Sequence, residues 1–315
     1  MVAPDPQRPL RRGSLGQRRV RIVVTGHHGQ IVQSLREKAA LRKDMELVTL
    51  GRPELDLAHP DSVCDVIMKA CPDIVVSAAA YTAVDRAEDE PERAFAINAR
   101  GAEAVALASK ACGVPVIHLS TDYVFAGDSG APYTEDDETL PRNVYGNSKL
   151  EGERLVAKAN PQHIILRTAW IYSPFGNNFV RTMLKLAQQR DSISVVADQW
   201  GNPSSALDLA SAILRVTDRL AVSPDASIYG LYHLAGTGDV TWSGFARAIF
   251  EESGQRAGPT PKVSDIQTSQ YPTRAYRPPN SRLACGKFNA TFGREMPHWR
   301  ASLPEVVDRL LAAPH

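Results

Sequence analysis

Three side chains of this 315-residue chain could together pass a proton to a carbonyl. Tyr145-Gly146-Asn147-Ser148-Lys149 sets a phenol and an ammonium four residues apart, on one face of the helix expected there. A nearby cation favours the phenolate, so Lys149 is expected to draw Tyr145 down from its usual pKa of roughly 10 toward neutrality. Thr121 lies upstream at the carboxyl end of an expected strand, in Ser120-Thr121-Asp122-Tyr123-Val124-Phe125, where its hydroxyl can bond the same carbonyl.

A second constellation suits a nucleotide. The first β-branched run, VRIVVTG, passes directly into Gly26-His27-His28-Gly29-Gln30-Ile31 and then into an amphipathic helix. Glycines 26 and 29 permit a tight turn and close approach of a pyrophosphate to the N–H groups that open the helix, whose dipole favours an anion. The position three after Gly29 is Val32 rather than a third glycine, which predicts a slightly wider spacing of helix and strand. After the second strand come Arg52, which suits a 2′-phosphate and tilts the choice toward NADP(H), and Asp56-Leu57. Asp56 is placed to meet the adenine amine, with a helix N-cap as the alternative. Ala78, Ala79, Ala80 and Tyr81 follow the third strand as a small-residue wall beside the cofactor, or else as an ordinary buried strand end.

The elements that must position these groups alternate regularly. VRIVVTG, MELVTL, DIVVSAAA, VPVIHLST and HIILRTAW are separated by helical stretches from about Gln30, Ser62 to Ala70, Glu92 to Cys112 and Asn143 to Lys158. This βαβ pattern predicts an α/β fold, a doubly wound parallel, Rossmann-like sheet with ligands at the carboxyl ends of its strands. Residues 20–170 are expected to form this dinucleotide-binding domain. Residues 171–315, with helices near 179–189, 206–219, 241–253 and 304–311, are expected to form mainly a smaller, discontinuous substrate lobe with segments returning to the first domain.

Composition excludes other classes. With 43% hydrophobic and 23% charged residues the chain is globular rather than disordered or collagenous, and no apolar run approaches the roughly 20 residues of a membrane span. The net charge of +1 hides a basic head: residues 1–19 carry five arginines and one aspartate, leaving 31 basic against 34 acidic residues beyond. The body is therefore not a nucleic-acid binder, and the head is expected to be a disordered extension rather than a secretory signal. Cys64, Cys71, Cys112 and Cys285 show no metal spacing, so no metal site is expected; free thiols in a reducing compartment, the cytoplasm, fit them, with Cys64 and Cys71 packed in a helix. His27 and His28 read as exposed loop residues, His118 as a satisfied core residue and Glu135 to Glu138 as a solvated run. Asn98 reads as a brace, and Arg274 and Arg277 as partners for a pyrophosphate or for surface carboxylates.

Several segments together carry a resemblance: GHHGQI, AAAYTAVDRAE, AINARGAEAVA, STDYVFAG, YGNSKLEGE, RTAWIYSPFGNNFV, ADQWGNPSSA, TWSGFARAIF and YPTRAYRPPNSRL. From about residue 20 to 312 the chain resembles the extended short-chain dehydrogenase/reductases, and within them the dTDP-4-dehydrorhamnose reductases. That resemblance implies hydride transfer from NADPH or NADH to C4 of a dTDP-linked 4-keto-6-deoxy sugar. Tyr145 would give the proton, Lys149 would tune Tyr145 and hold the nicotinamide ribose, and Thr121 would polarise the carbonyl. It also implies that Thr82, Val84, Asp122, Tyr123 and Trp170 line the sugar-nucleotide pocket, and it is compatible with a homodimer. Ser204-Ser205, where the family commonly has Pro-Thr, is expected to bear on substrate contacts. Two alternatives stay open: an NAD-dependent sugar-nucleotide epimerase or dehydratase, and a non-catalytic subunit that keeps the nucleotide fold.

Overall fold

The structure, a computed structural model, describes residues 19–222 and 225–312; the extension expected over residues 1–19 lies, Arg19 apart, outside the described residues. The first half runs β1 (Val20–Thr25), α1 (Gln30–Ala40), β2 (Met45–Leu50), α2 (Val63–Lys69), β3 (Ile74–Ser77), α3 (Val84–Ala87), α4 (Pro91–Phe95), α5 (Ala102–Ala111), β4 (Val116–Thr121), α6 (Val144–Ala159) and β5 (His163–Thr168). The second half runs β6 (Ile171–Tyr172), α7 (Phe179–Ala187), β7 (Ser192–Val196), β8 (Trp200–Gly201), β9 (Ser204–Ser205) and α8 (Ala206–Val222). It continues with β10 (Gly230–His233), β11 (Val240–Thr241), α9 (Trp242–Gly254), β12 (Lys262–Ile266), α10 (Gly286–Phe292) and α11 (Trp299–Ala312).

Six parallel strands form the main sheet in the order β2-β1-β3-β4-β5-β10. Side chains alternate across it, as the period of a strand demands. Ile22, Val24, Ile117 and Leu166 face α1, α8 and α10, whereas Val75, Val116 and Ile165 face α2, α5 and α6. All seven are buried, each worth roughly 1.5–3 kcal/mol of transfer free energy. Chain order reverses between β1 and β3, so the loops after these strands diverge and leave a crevice. Thr25 holds that crevice's floor: its Oγ1 accepts from the N–H groups of Ala78 and Ala79, both at 3.0 Å.

Beyond Trp170 the chain shares itself between two cores. Strand β10 pairs with β5 at the sheet edge and α8 covers α1, while α7, β7, α9 and α11 build a separate core around Tyr172 and Phe245. The single helix expected over Glu92–Cys112 is instead α4 and α5 joined by a π-helical turn, Ala96–Gly101. At its end Gly101 lies against the Leu57 carbonyl, where an added Cβ would come within 2.6 Å. Cys71 departs from its expected helix packing: α2 ends at Lys69, and Cys71 is exposed with φ +48°. All four cysteines are free.

Candidate active site

One continuous cleft of about 2320 Å³ crosses the carboxyl end of the sheet and runs into the second half of the chain. Its first part is lined by Gly26, Gly29, Gln30, Ile31, Arg52, Asp56, Leu57, Ala78, Ala79, Ala80 and Tyr81. Here the wall is largely backbone. Gly26 has φ +99°, a conformation that favours glycine, and Gly29 precedes α1 without a side-chain cap, leaving first-turn N–H groups for an anion. The loop and the small Ala78–Ala80 wall thus fit the phosphates and ribose of a dinucleotide. Val32 is buried, with Cγ2 3.6 Å from where a Gly26 Cβ would sit, so it fills the helix–strand gap as ordinary packing. Asp56 caps no helix; its Oδ1 closes a short turn by accepting from Ala58 N–H at 3.0 Å. His27 is half-buried rather than an exposed loop residue, bonded through Nδ1 to Thr49 Oγ1 at 3.1 Å.

The middle of the cleft brings together Thr121, Asp122, Tyr123 and Tyr145. Asn143 starts α6 by accepting from Gly146 N–H at 2.7 Å. Gly146 and Gly152 then let the helix press onto the Tyr123 and Asn98 carbonyls, which a Cβ at either position would strike. That approach sets the Tyr145 ring edge-on to Tyr123, with centroids 5.7 Å apart, on the same stretch of the cleft as Thr121. Asn98, in the π-helical turn, ties the cofactor wall to this helix. It bonds the Tyr81 N–H and carbonyl at 2.8 and 3.0 Å and donates to Ser148 Oγ at 2.9 Å, and Ser148 donates to the Tyr145 carbonyl.

Electrostatics at this centre differ from the expectation in one respect. Burial pushes the Tyr145 phenol above its ordinary pKa, opposed by the nearby Thr121 hydroxyl, and Lys149 does not draw it down. The ammonium turns inward: Nζ donates to the Leu119 carbonyl at 2.6 Å and lies 3.5 Å from His118 Nε2, and Lys149, buried one turn along α6 from Tyr145, does not line the cleft. A shared helical face fixes where two side chains start, and the four-carbon arm decides where the charge ends. Burial lowers Lys149 to about 8, with Glu153 opposing. Asp122, whose Oδ1 accepts from Thr121 Oγ1 at 2.9 Å, is pushed up by burial to about 6, its hydrogen bond with Thr121 holding it down.

The far part of the cleft is built from side chains. Thr82, Val84, Asp122, Tyr123 and Trp170 all line it. Trp170, at φ +47°, stacks on Trp242 with centroids 3.4 Å apart and donates from Nε1 to Ser281 Oγ at 3.0 Å. Phe179 completes the aromatic group, 4.6 Å from Trp242. Phe179, Arg190, Gln199 and Trp242 are lining residues that sequence reasoning missed, because their only signal was membership of segments remote from one another. Arg277 lines the cleft but pairs with Asp85 at 2.6 Å, and Arg274 pairs with Asp89. Ser204 and Ser205 are buried in β9 against β6 and do not line the cleft, so they bear on packing rather than substrate contacts. The run Glu135–Glu138 is not wholly solvated: Glu135 is half-buried and accepts from His233 N–H at 2.7 Å.

Residues 20–312 match the family model described as RmlD substrate binding domain. A dTDP-4-dehydrorhamnose reductase of Sinorhizobium fredii is 51% identical over 292 residues, 93% of this chain and 98% of that protein. The chain belongs to the dTDP-4-dehydrorhamnose reductase family. The family's reductase from Escherichia coli strain K12 is 42% identical over 81% of this chain and 85% of its own. Among solved structures, the Clostridium acetobutylicum dTDP-4-dehydrorhamnose reductase superposes with a TM-score of 0.86 at 36% identity, covering 92% of this chain and 99% of that one. The Bacillus anthracis dTDP-4-dehydrorhamnose reductase, solved in complex with NADP, gives 0.83 at 34% identity, covering 93% and 99%. At 20% identity, a Thermus thermophilus UDP-glucose 4-epimerase shares the fold alone, with a TM-score of 0.75.

Proposed function

We propose that this chain reduces the C4 ketone of dTDP-4-dehydro-L-rhamnose to give dTDP-L-rhamnose. The observation that carries the reading is that Thr121 and Tyr145 line the same stretch of one cleft, midway between an end that fits a dinucleotide and an end open to a second ligand. A reduced nicotinamide dinucleotide, when bound, supplies the hydride. The first turn of α1 with Gly26, Gly29, Gln30 and Ile31 holds its pyrophosphate, and Arg52 beside the adenosine end favours NADPH over NADH; the NADP complex of the Bacillus anthracis reductase supports this choice.

Tyr145 gives its hydroxyl proton to the ketone oxygen. Its raised pKa suits that role, because the phenol stays protonated at neutral pH until an oxyanion develops beside it. Thr121, whose hydrogen goes to Asp122 in this structure, rotates to donate to the same oxygen. Lys149 steadies the phenolate left behind and holds the nicotinamide ribose, its Nζ exchanging the Leu119 carbonyl for a ribose hydroxyl while it stays beside His118. Thr82, Val84, Asp122, Tyr123 and Trp170 hold the sugar nucleotide. Residues 20–170 thus serve chiefly the dinucleotide and 171–315 chiefly the sugar nucleotide, with α8 and β10 returning to the sheet. Four free cysteines suit the reducing cytoplasm. A homodimer is our proposed assembly, supported by Met68 of α2 and Leu107 of α5, exposed on two helices that pack together.

The reading is tested by incubating the protein with the dTDP-4-keto-6-deoxy sugar and each reduced cofactor. One nicotinamide oxidised per sugar, with dTDP-L-rhamnose as product, is expected; no oxidation of either cofactor overturns the assignment, and sedimentation tests the dimer.

A further inference from the structure

Among the described residues, no carboxylate bonds the buried Lys149 ammonium. Glu153, one turn further along α6, is engaged elsewhere: Arg167 of β5 donates to its Oε1 and Oε2 at 2.9 and 2.7 Å, and Ser120 also donates to Oε1. Lys149 therefore meets neutral acceptors, the Leu119 carbonyl at 2.6 Å and His118 Nε2 at 3.5 Å. The other ring nitrogen of His118, Nδ1, lies 3.1 Å from Ser77 Oγ at the end of β3, and both residues are buried.

A neutral imidazole has one donor and one acceptor nitrogen. Burial, and then the Lys149 charge, hold His118 well below its ordinary pKa, so it is neutral at working pH. The serine hydroxyl can donate or accept, whereas an ammonium can only donate. These two neighbours select one tautomer: the proton sits on Nδ1, toward Ser77, and the Nε2 lone pair faces Lys149. The remaining titratable groups around the lysine are Glu153 and Tyr145 on α6, Arg167 behind Glu153, and Asp122 beside Tyr145.

We infer that His118, oriented by Ser77, is a positioning residue for the reaction: its Nε2 holds the Lys149 ammonium, one turn along α6 from Tyr145, and keeps it protonated. This rests on the reading of Lys149 as the partner of Tyr145. An acceptor that favours the charged form raises the pKa of an ammonium, and its removal lowers it. In a buried site already depressed to about 8, that lowering removes the proton within the working range of the enzyme.

Two substitutions separate this role from packing. His118→Gln offers an acceptor near the position of Nε2, whereas His118→Asn offers a group near Nδ1, toward Ser77 alone. The pH dependence of kcat is measured for both, together with thermal melting and dinucleotide affinity. For His118→Asn the alkaline limb is expected to move to lower pH by about one unit, with kcat at pH 8 down several-fold. His118→Gln is expected to restore the limb to within a few tenths of a unit. Equal behaviour of the two variants, or better function of Asn than Gln, overturns the inference. If either fails to fold, Ser77→Ala replaces it, with a smaller shift in the same direction expected and an unmoved limb overturning the proposal. Lys149→Met keeps the two readings apart: full activity with an unchanged limb refutes the role of Lys149 itself, whereas an inactive Lys149→Met beside indistinguishable His118 variants refutes only the role of His118.

Discussion

The two ends of the cleft are made of different material. At the proposed dinucleotide end, Gly26, Gly29 and Ala78–Ala80 line the cleft with little side chain, and the N–H donors at the start of α1 are the groups available to a ligand. At the proposed sugar end, Trp170, Trp242 and Phe179 line the cleft as an aromatic group held together by stacking and by the Trp170 bond to Ser281. Backbone recognition needs small residues at fixed spacing in one short segment, while aromatic recognition needs large residues that can come from anywhere in the chain. Consequently the first end should be sensitive to strain and added volume within one loop, and the second to the packing of elements far apart in sequence.

Tyr145, standing between the ends, gives the sharpest test. Tyr145→Phe should lower kcat by roughly 10² to 10⁴ while dinucleotide and sugar affinities stay near wild type, measured by steady-state kinetics and direct titration. A matching loss of affinity at either end would mean that the phenol belongs to that end rather than to the chemistry.

Asp122 sharpens the contrast through pH. Its carboxyl titrates at about 6 in the folded chain against 3.8 ordinarily, so between these values the native state binds more protons than the unfolded state. Its stabilising contribution is complete below about 4 and is lost as pH rises through about 6. Asp122→Asn removes that slope, and relative to wild type the variant should gain up to about 3 kcal/mol in unfolding free energy between pH 4 and pH 7, followed by denaturant melts. Parallel curves for the two proteins would contradict the buried carboxylate.

Gly201→Ala probes the aromatic end. A Cβ there would strike the Trp170 indole, so the stack on Trp242 must shift. KM for the sugar nucleotide should rise about tenfold, roughly 1.4 kcal/mol, with dinucleotide affinity unchanged. Gly26→Ala, of similar size, is the mirror image. Its added Cβ would find ordinary contacts at 3.5 Å, so the cost is the backbone at φ +99°, about 1–2 kcal/mol of stability. A weaker dinucleotide with an unchanged sugar KM is expected. If both glycine variants impaired both ligands equally, the cleft would be one site and not two.

Much of the dinucleotide end was legible in the sequence because its signals are local. The β1–loop–α1 passage, the Ala78–Ala80 wall and the Tyr145–Lys149 spacing each fall within a single turn or strand end, and the cleft gathers nearly all of these residues. Lys149 is the exception: spacing set its helical face, but the Leu119 carbonyl and His118 decided where its charge rests. The aromatic end was only partly legible. Trp170 entered through a family resemblance, whereas its partner Trp242 opens a helix 72 positions later and nothing in its neighbours announces a cleft.

By itself the sequence determined five of the six strands of the main sheet, through β-branched runs, and which loop can accept a phosphate, through glycine. Those properties depend on residues within hydrogen-bonding or turn distance along the chain. Tertiary structure alone decided the sixth sheet strand drawn from residues 230–233, the ion pair of Arg167 with Glu153, and the partners of Lys149. Each of these depends on desolvation and contact between segments whose separation in sequence carries no information about their separation in space.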